Sequence, residues 1–325
     1  MVTEQEKAKK NQAGPEALGK AIEVAAPVAP SGSERSPGQM AWHSFRRHKP
    51  AMIGLTVIVL LSLAAFLAPW VTPYDAEKTD LDAMLEPPSW AHPMGTDELG
   101  RDLLTRLLYG GRVSLSIGVM AMFLAVLLGS LVGGLAGFYG GWVDNVLMRL
   151  VDMMLAFPSL FVLILLSLAL RDLPIEALRG TAFASVFSIV LVIAVLSWMS
   201  VARLVRASFL SIREREFVLA AEGLGVPNRR IILRHMLPNA MSPIIVAATF
   251  RVATSVITES GLSYLGFGVQ PPTPTWGNML KNAQNLMTRA PWTAIFPGLM
   301  IFVSVISVNF IGDGLRDALD PRKVE

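Results

Sequence analysis

The 325-residue sequence contains no cysteine. Disulfides, thiolate metal sites and cysteine nucleophiles are therefore excluded. Its four histidines, His43, His48, His92 and His235, are too scattered for a metal cluster. Charge is scarce too. Asp, Glu, Lys and Arg make up 16% of the residues, against about 25% in an average globular domain. No Gly-x4-Gly-Lys-Ser/Thr phosphate loop occurs, and the only Gly-Lys pair, Gly19-Lys20, is followed by Ala21. The chain therefore carries no ATP site of that kind, and nothing in it implies a cofactor. What is abundant is apolar surface, 53% of residues, with a mean hydropathy of +0.51. A chain this long with so few charges cannot cover a soluble body, so the sequence predicts an integral membrane protein.

A helix needs about 20 apolar residues to cross the hydrocarbon layer. Runs without Asp, Glu, Lys or Arg cover residues 51–69, 113–143, 153–170, 180–202 and 290–312. A sixth, 236–258, is interrupted only by Arg251. These runs predict six transmembrane helices. They are continuous, without the ~10-residue alternating segments of a barrel. Gly137, Gly140 and Gly141 predict an exit turn after the second span. Pro158 predicts a kink in the third. Gly129, Gly133, Gly134 and Gly137 are placed to let helices pack closely.

Orientation follows from Lys and Arg. With both termini in the cytoplasm, inside segments carry 19 of the 28 basic residues and outside segments carry 8, Arg251 being the remaining one. This asymmetry accounts for the pI of 9.3 without a nucleic-acid partner. Residues 1–40 are rich in Ala, Pro, Ser, Glu and Lys. Their best apolar piece, 24–30, is broken by Pro27, too short for a signal-peptide core, so a disordered cytoplasmic tail is expected. The stretch 42–49 reads as an interfacial helix whose cations meet lipid headgroups. The expected organisation is the tail 1–40, then an interfacial helix, first span and external loop over 41–112. The core with its charged loop, 206–238, spans 113–313, and a cytoplasmic tail covers 314–325.

Outside, Leu99, Leu103, Leu104, Leu107 and Leu108 share one helical face, and Thr96 or Asp97 is a plausible N-cap. Either an amphipathic helix at the interface or a rim for an external partner fits. In the last external loop, Pro271, Pro272 and Pro274 stiffen a connector beside Tyr264, Phe267 and Trp276. Those aromatics fit an interface belt or the mouth of a pathway.

Inside, the longest charged stretch between spans runs from Arg203 to Asn239. Helix-favouring residues continue to Ala221, Gly223 and Gly225 can end a helix, and Pro227 can open a second one. Pro238 is expected to break the chain before the fifth span. The result would be two short helices at about a right angle. Ala220, Ala221 and Gly225 would let another protein approach the backbone, with Glu216, Glu222, Arg229 and Arg230 setting register. An ordinary solvated linker is the alternative.

This stretch resembles the Glu-Ala-Ala-x3-Gly-x9-Ile-x-Leu-Pro loop of ABC importer permeases. Ala220, Ala221, Gly225, Leu237 and Pro238 match, while Leu219 stands in place of the Glu and His235 in place of the Ile. Four further motifs occur in order: Gly95-Thr96-Asp97-x2-Gly100-Arg101-Asp102, residues 138–144, residues 261–266 and residues 312–317. From about residue 40 to 322 the chain is similar to the second permease subunit of dipeptide/oligopeptide importers. The resemblance implies an all-α membrane protein with the type I ABC importer permease (MetI-like) fold and a cytoplasmic coupling helix. It also implies a bacterial or archaeal inner membrane and peptide cargo. The implied partners are a second, homologous permease subunit, two ATP-binding subunits and a periplasmic or extracellular solute-binding protein. ATP then draws the two ATPases together, their clefts carry the coupling helices, and the spans rock between inward-open and outward-open states. On that view the external loops form the docking rim for the solute-binding protein.

Arg251 and Glu259 lie eight residues apart in the fifth span. Charges at that depth are costly and mark either a pathway or a structural pair. Glu259, nearer the outer end, is a candidate gate or rim residue. Arg149 and Asp152, three apart, read as a structural pair. An ion-driven secondary transporter normally shows paired repeats, and none is evident. An intramembrane enzyme would need a base or metal ligands in the spans, and no His lies there. The same ATP-driven mechanism with nickel or another small solute as cargo stays open.

Overall fold

His48 separates the first two helices of the computed structural model, which describes residues 37–171 and 182–320. Helix α1 (Pro37–Arg47) ends in Arg46 and Arg47, cations that suit the negative end of the helix dipole. His48 then caps α2 (Lys49–Phe66), its Nδ1 accepting from the Ala51 N–H at 3.1 Å. A helix thus stands where the interfacial one is expected, and it stops at Arg47. Phe45 is buried against Ala51 and Ala318 while Trp42 stays exposed. Residues 1–36 of the expected tail lie outside the described residues, as do 172–181 and 321–325.

After two short turns of helix, Ala68–Val71 and Leu81–Ala83, the longer helices that follow are α3 (Leu103–Tyr139), α4 (Gly141–Leu155), α5 (Ser159–Arg171), α6 (Ala182–Arg213), α7 (Glu216–Gly223), α8 (Asn228–Tyr264), α9 (Trp276–Ala283) and α10 (Trp292–Leu319). Among the described residues there is no strand, only one isolated bridge between Thr96 and Asp102. Five helices are long and apolar enough to cross a membrane, and six if the bent pair α4–α5 is one span. Five of the six expected spans are therefore single long helices, the third counts only as that bent pair, and residues 314–319 continue the last one.

From Ala41 onward the chain is one compact unit, organised around α3 and α6. At ~1.5 Å per residue, the 37 residues of α3 extend about 55 Å. The predicted glycine stripe is its contact with α6. A Cβ on Gly133 would meet the Ala202 backbone, with Cα and carbonyl carbon each 3.0 Å away. One on Gly129 would lie 2.6 Å from Val201 Cβ, and one on Gly137 2.6 Å from Phe209 Cβ. At the end of the bundle that carries α7, Phe138, Val205, Phe209, Ile231 and Met236 form a buried cluster. At the opposite end, Leu103, Leu107, Trp276 and Met279 form another.

Several local expectations are corrected. Gly140 (φ 63°) and Gly141 (φ 51°) make the predicted turn, but Gly137 stays inside α3. Pro158 does more than kink the third span, because α4 and α5 meet at 90° across it. Proline lacks an N–H and disfavours helix at the residue before it. Its own carbonyl accepts from Phe161 and Val162, so a new helix starts there. Arg149 and Asp152 are not the structural pair. Asp152 binds Arg203 on α6 at 2.5 Å, and Asp144 binds both Nε and Nη2 of Arg206. These pairs fasten α4 across α6.

Candidate coupling loop and charged residues of the spans

α6 continues to Arg213, so the charged loop narrows to residues 214–227 around α7. Glu216 sits in the first turn of α7, where the helix dipole favours an acid. The helix closes with two reversed hydrogen bonds: Gly225 N–H donates to Glu222 O at 2.9 Å and Val226 N–H to Ala221 O at 3.1 Å. That Schellman closure needs a left-handed residue, and Gly225 supplies it with φ 73°. A Cβ there would meet nothing within 4 Å. Within this chain, then, the reason for a glycine at 225 is its backbone conformation.

The two alanines also part company. Val218 and Ala221 face the buried cluster of Phe138, Phe209 and Ile231. Ala220 is exposed, and beside it Phe217 (43%), Leu219 (54%) and Leu224 (83%) are exposed as well. The loop thus turns one apolar face inward and keeps another free. Glu222, Arg229 and Arg230 are exposed around the free face, as is Glu216.

No second short helix stands at a right angle. Asn228–Arg230 opens α8, the turn Ile231–Met236 is π-helical, and the helix continues to Tyr264. Pro238 directly follows the π turn and does not end the helix, although as a proline it has no N–H to bond back to that turn. Ile231 and Met236 would lie roughly 140° apart on an α-helix, yet both are fully buried in one cluster. The wider π turn brings them round together. Leu237 packs, partly buried, against the same cluster.

The structure does not bring Arg251 and Glu259 together. Arg251 is half-buried and its Nη2 donates to Ser200 Oγ on α6 at 2.6 Å. Glu259 is wholly buried. It accepts from Ser114 Oγ of α3 at 3.0 Å and from Ser263 Oγ at 2.7 Å. Ser114 Oγ accepts in turn from the Trp276 N–H at 3.3 Å. Within this chain Glu259 is thus enclosed between α3, α8 and α9 and lines no rim. Nothing in the sequence marked Ser114 above Ser116, two residues further along the same apolar run.

The external motif is a knot. Thr96 and Asp97 cap no helix: α3 starts at Leu103 and its N-cap is Asp102, which accepts from Thr105 N at 2.8 Å and Thr105 Oγ1 at 2.7 Å. Leu103 and Leu107 are buried in the fold and rest on no interface. Asp97 binds Arg101 Nε at 2.7 Å and Arg106 Nε at 3.2 Å, all three side chains being buried. Arg106 Nη1 reaches Ala76 O at 2.7 Å. His92 Nδ1 lies 2.9 Å from Asp102. The motif's charges satisfy one another, so a docking rim has to use the exposed residues around them. Trp276 belongs to no interface belt. It is buried, its Nε1 donates to Leu107 O at 3.0 Å, and Thr275 and Asn278 form a capping box that fixes α9.

Residues 125–325 match the family described as the binding-protein-dependent transport system inner membrane component. The chain belongs to that family. In this permease, residues 36–88 also match the N-terminal TM domain of oligopeptide transport permease C. Over 287 residues it is 42% identical to a dipeptide transport system permease protein of Alkalihalophilus pseudofirmus, covering 88% of this chain and 90% of that one. A glutathione transport system permease protein of Pectobacterium atrosepticum is 41% identical over 305 residues, 93% and 97% of the two chains. One from Escherichia coli O157:H7 is 41% identical over 303 residues, 93% and 96%. Permeases of this family are multi-pass membrane subunits of ABC importers and not enzymes. They work with ATPase subunits and a substrate-binding protein.

Proposed function

We infer that this permease forms half of the transmembrane pathway of an ATP-driven importer of short peptides. Its other half is a second, homologous permease, and two ATPase subunits receive α7. Dipeptide and glutathione permeases more than 40% identical to it support the peptide class. The observation that carries the coupling role is the free apolar face of α7: Phe217, Ala220 and Leu224 are exposed on a charged loop while Val218 and Ala221 anchor the helix. Unless covered, that apolar surface gains nothing in water. The matching loop residues Ala220, Ala221, Gly225, Leu237 and Pro238 divide accordingly, Ala220 serving the partner and the others the loop's own shape.

The test is reconstitution. The chain, with its second permease, two ATPases and solute-binding protein, should accumulate a labelled tripeptide in proteoliposomes only when ATP is present. Uptake by the chain alone, or uptake driven by an ion gradient, would overturn this assignment.

The basic excess supports a cytoplasmic position for α7 and both termini, and the absence of cysteine makes that simple to test. Ser89→Cys is expected to react with a membrane-impermeant maleimide on intact cells. Glu222→Cys is expected to react only after permeabilisation. The reverse pattern would invert the topology.

A further inference from the structure

The segment Leu237–Tyr264 of α8 carries Arg251 at its midpoint. A cation at that depth needs an anion or water. The guanidinium has five N–H donors, and one nitrogen is occupied by Ser200 Oγ. Among the described residues no carboxylate pairs with it. Glu259, two turns further on, is enclosed and bound by Ser114 and Ser263.

The same face of α8 is polar. Thr254 is exposed and Thr258 half-buried, three and seven residues beyond Arg251. Their hydroxyls donate back to their own helix, Thr254 Oγ1 to Phe250 O at 3.2 Å and Thr258 Oγ1 to Thr254 O at 2.8 Å. Each hydroxyl oxygen therefore keeps a lone pair to accept a hydrogen bond. The outward side of α2 is the contrast: Ile53, Val59, Leu60, Leu63 and Phe66, a surface made for lipid. A stripe of threonines ending in a guanidinium is not such a surface.

Resting on the peptide-importer reading, we propose that this stripe is a peptide subsite of the pathway: Arg251 anchors the carboxylate and Thr254 and Thr258 accept from the amino end. A planar guanidinium matches a carboxylate with two parallel hydrogen bonds. Arg251 to Thr258 is seven residues, a rise of about 10 Å. An extended peptide advances ~3.3–3.6 Å per residue, so two or three residues bridge the stripe from end to end.

The experiment uses the complete importer in proteoliposomes with trialanine and trialanine amide. Arg251→Met keeps the bulk of the side chain and removes its charge. It is expected to lower trialanine uptake about tenfold, the scale of a hydrogen bond to a charged group, and to leave amide uptake unchanged. Arg251→Lys should retain an intermediate rate. The solute-binding protein is the same throughout, so a changed acid-to-amide ratio reports on the permease alone. A trialanine analogue with a photoreactive side chain should label residues 237–264 in the parent importer and not in Arg251→Met. Equal loss for both peptides, or an unchanged ratio with unchanged labelling, overturns the proposal. So does release of the second permease from Arg251→Met on purification, which would assign the guanidinium to a contact between subunits. A parent importer that takes up no peptide refutes the peptide reading itself. Peptide uptake indifferent to Arg251 refutes only the anchor.

Discussion

Ala220→Trp is expected to lower ATP-driven uptake more than tenfold while the chain still folds and reaches the membrane in normal amount. Ala220 lies on the free face of α7 between exposed Phe217 and Leu224, so an indole there disturbs no buried contact of this chain. It would stand between α7 and the ATPase surface. Overfilling a packed contact costs typically 1–3 kcal/mol, and each ~1.4 kcal/mol is a factor of ten. Co-purification of the ATPases with the permease should fall along with uptake, whereas Ala220→Gly should keep both. Full uptake by Ala220→Trp would remove α7 from the docking interface. Ala221→Trp, the substitution that the sequence pattern would recommend equally, is the wrong probe. Ala221 packs against the buried cluster, so that indole would disrupt the loop itself and its loss of transport would say nothing of docking.

Gly133→Val is expected to have the largest effect on folding. Even the Cβ alone would meet Ala202 backbone atoms at 3.0 Å, and a backbone inside a second long helix cannot step aside. Either α3 and α6 separate along the whole stripe or the side chain is not accommodated. We expect about 3 kcal/mol of destabilisation, the upper range for overpacking. It would be read as loss of the monodisperse species in detergent and a lower unfolding temperature. Gly134→Ala is the matched control, since its Cβ would meet only the Phe209 ring at 3.4 Å, an ordinary contact. If Gly133→Val were as stable as Gly134→Ala, the α3–α6 packing described above would be wrong.

The spans were legible because a bilayer demands uncharged length, and length can be counted in a sequence. The glycine stripe was legible for a similar reason, since spacing alone puts those residues on one face. The start of α3 was not. An acid or hydroxyl ahead of an apolar run occurs twice, at Thr96-Asp97 and at Asp102, and local pattern cannot choose between them. Distant bonds choose: Thr96 Oγ1 donates to Ala83 O at 2.5 Å and Arg106 Nη1 to Ala76 O, which locks the first pair into the knot. The division between Ala220 and Ala221 was hidden in the same way. Adjacent residues point about 100° apart on a helix, and only the position of Phe138, Phe209 and Ile231 decides which turns inward. Pro158 announced a break but not its size, and the ion pairs from Asp144 and Asp152 that hold α4 against α6 join residues more than fifty apart in sequence.

The unbroken length of α3 links the two ends of the bundle. Its first turn is pinned into the knot by Asp102, and its last turn, at Phe138, abuts the cluster that holds α7. It is a single shaft about 55 Å long, with no proline or π turn along it. Each degree of tilt about one end sweeps the other through about 1 Å. A tilt of a few degrees at one end of α3 thus displaces the other end by several ångströms.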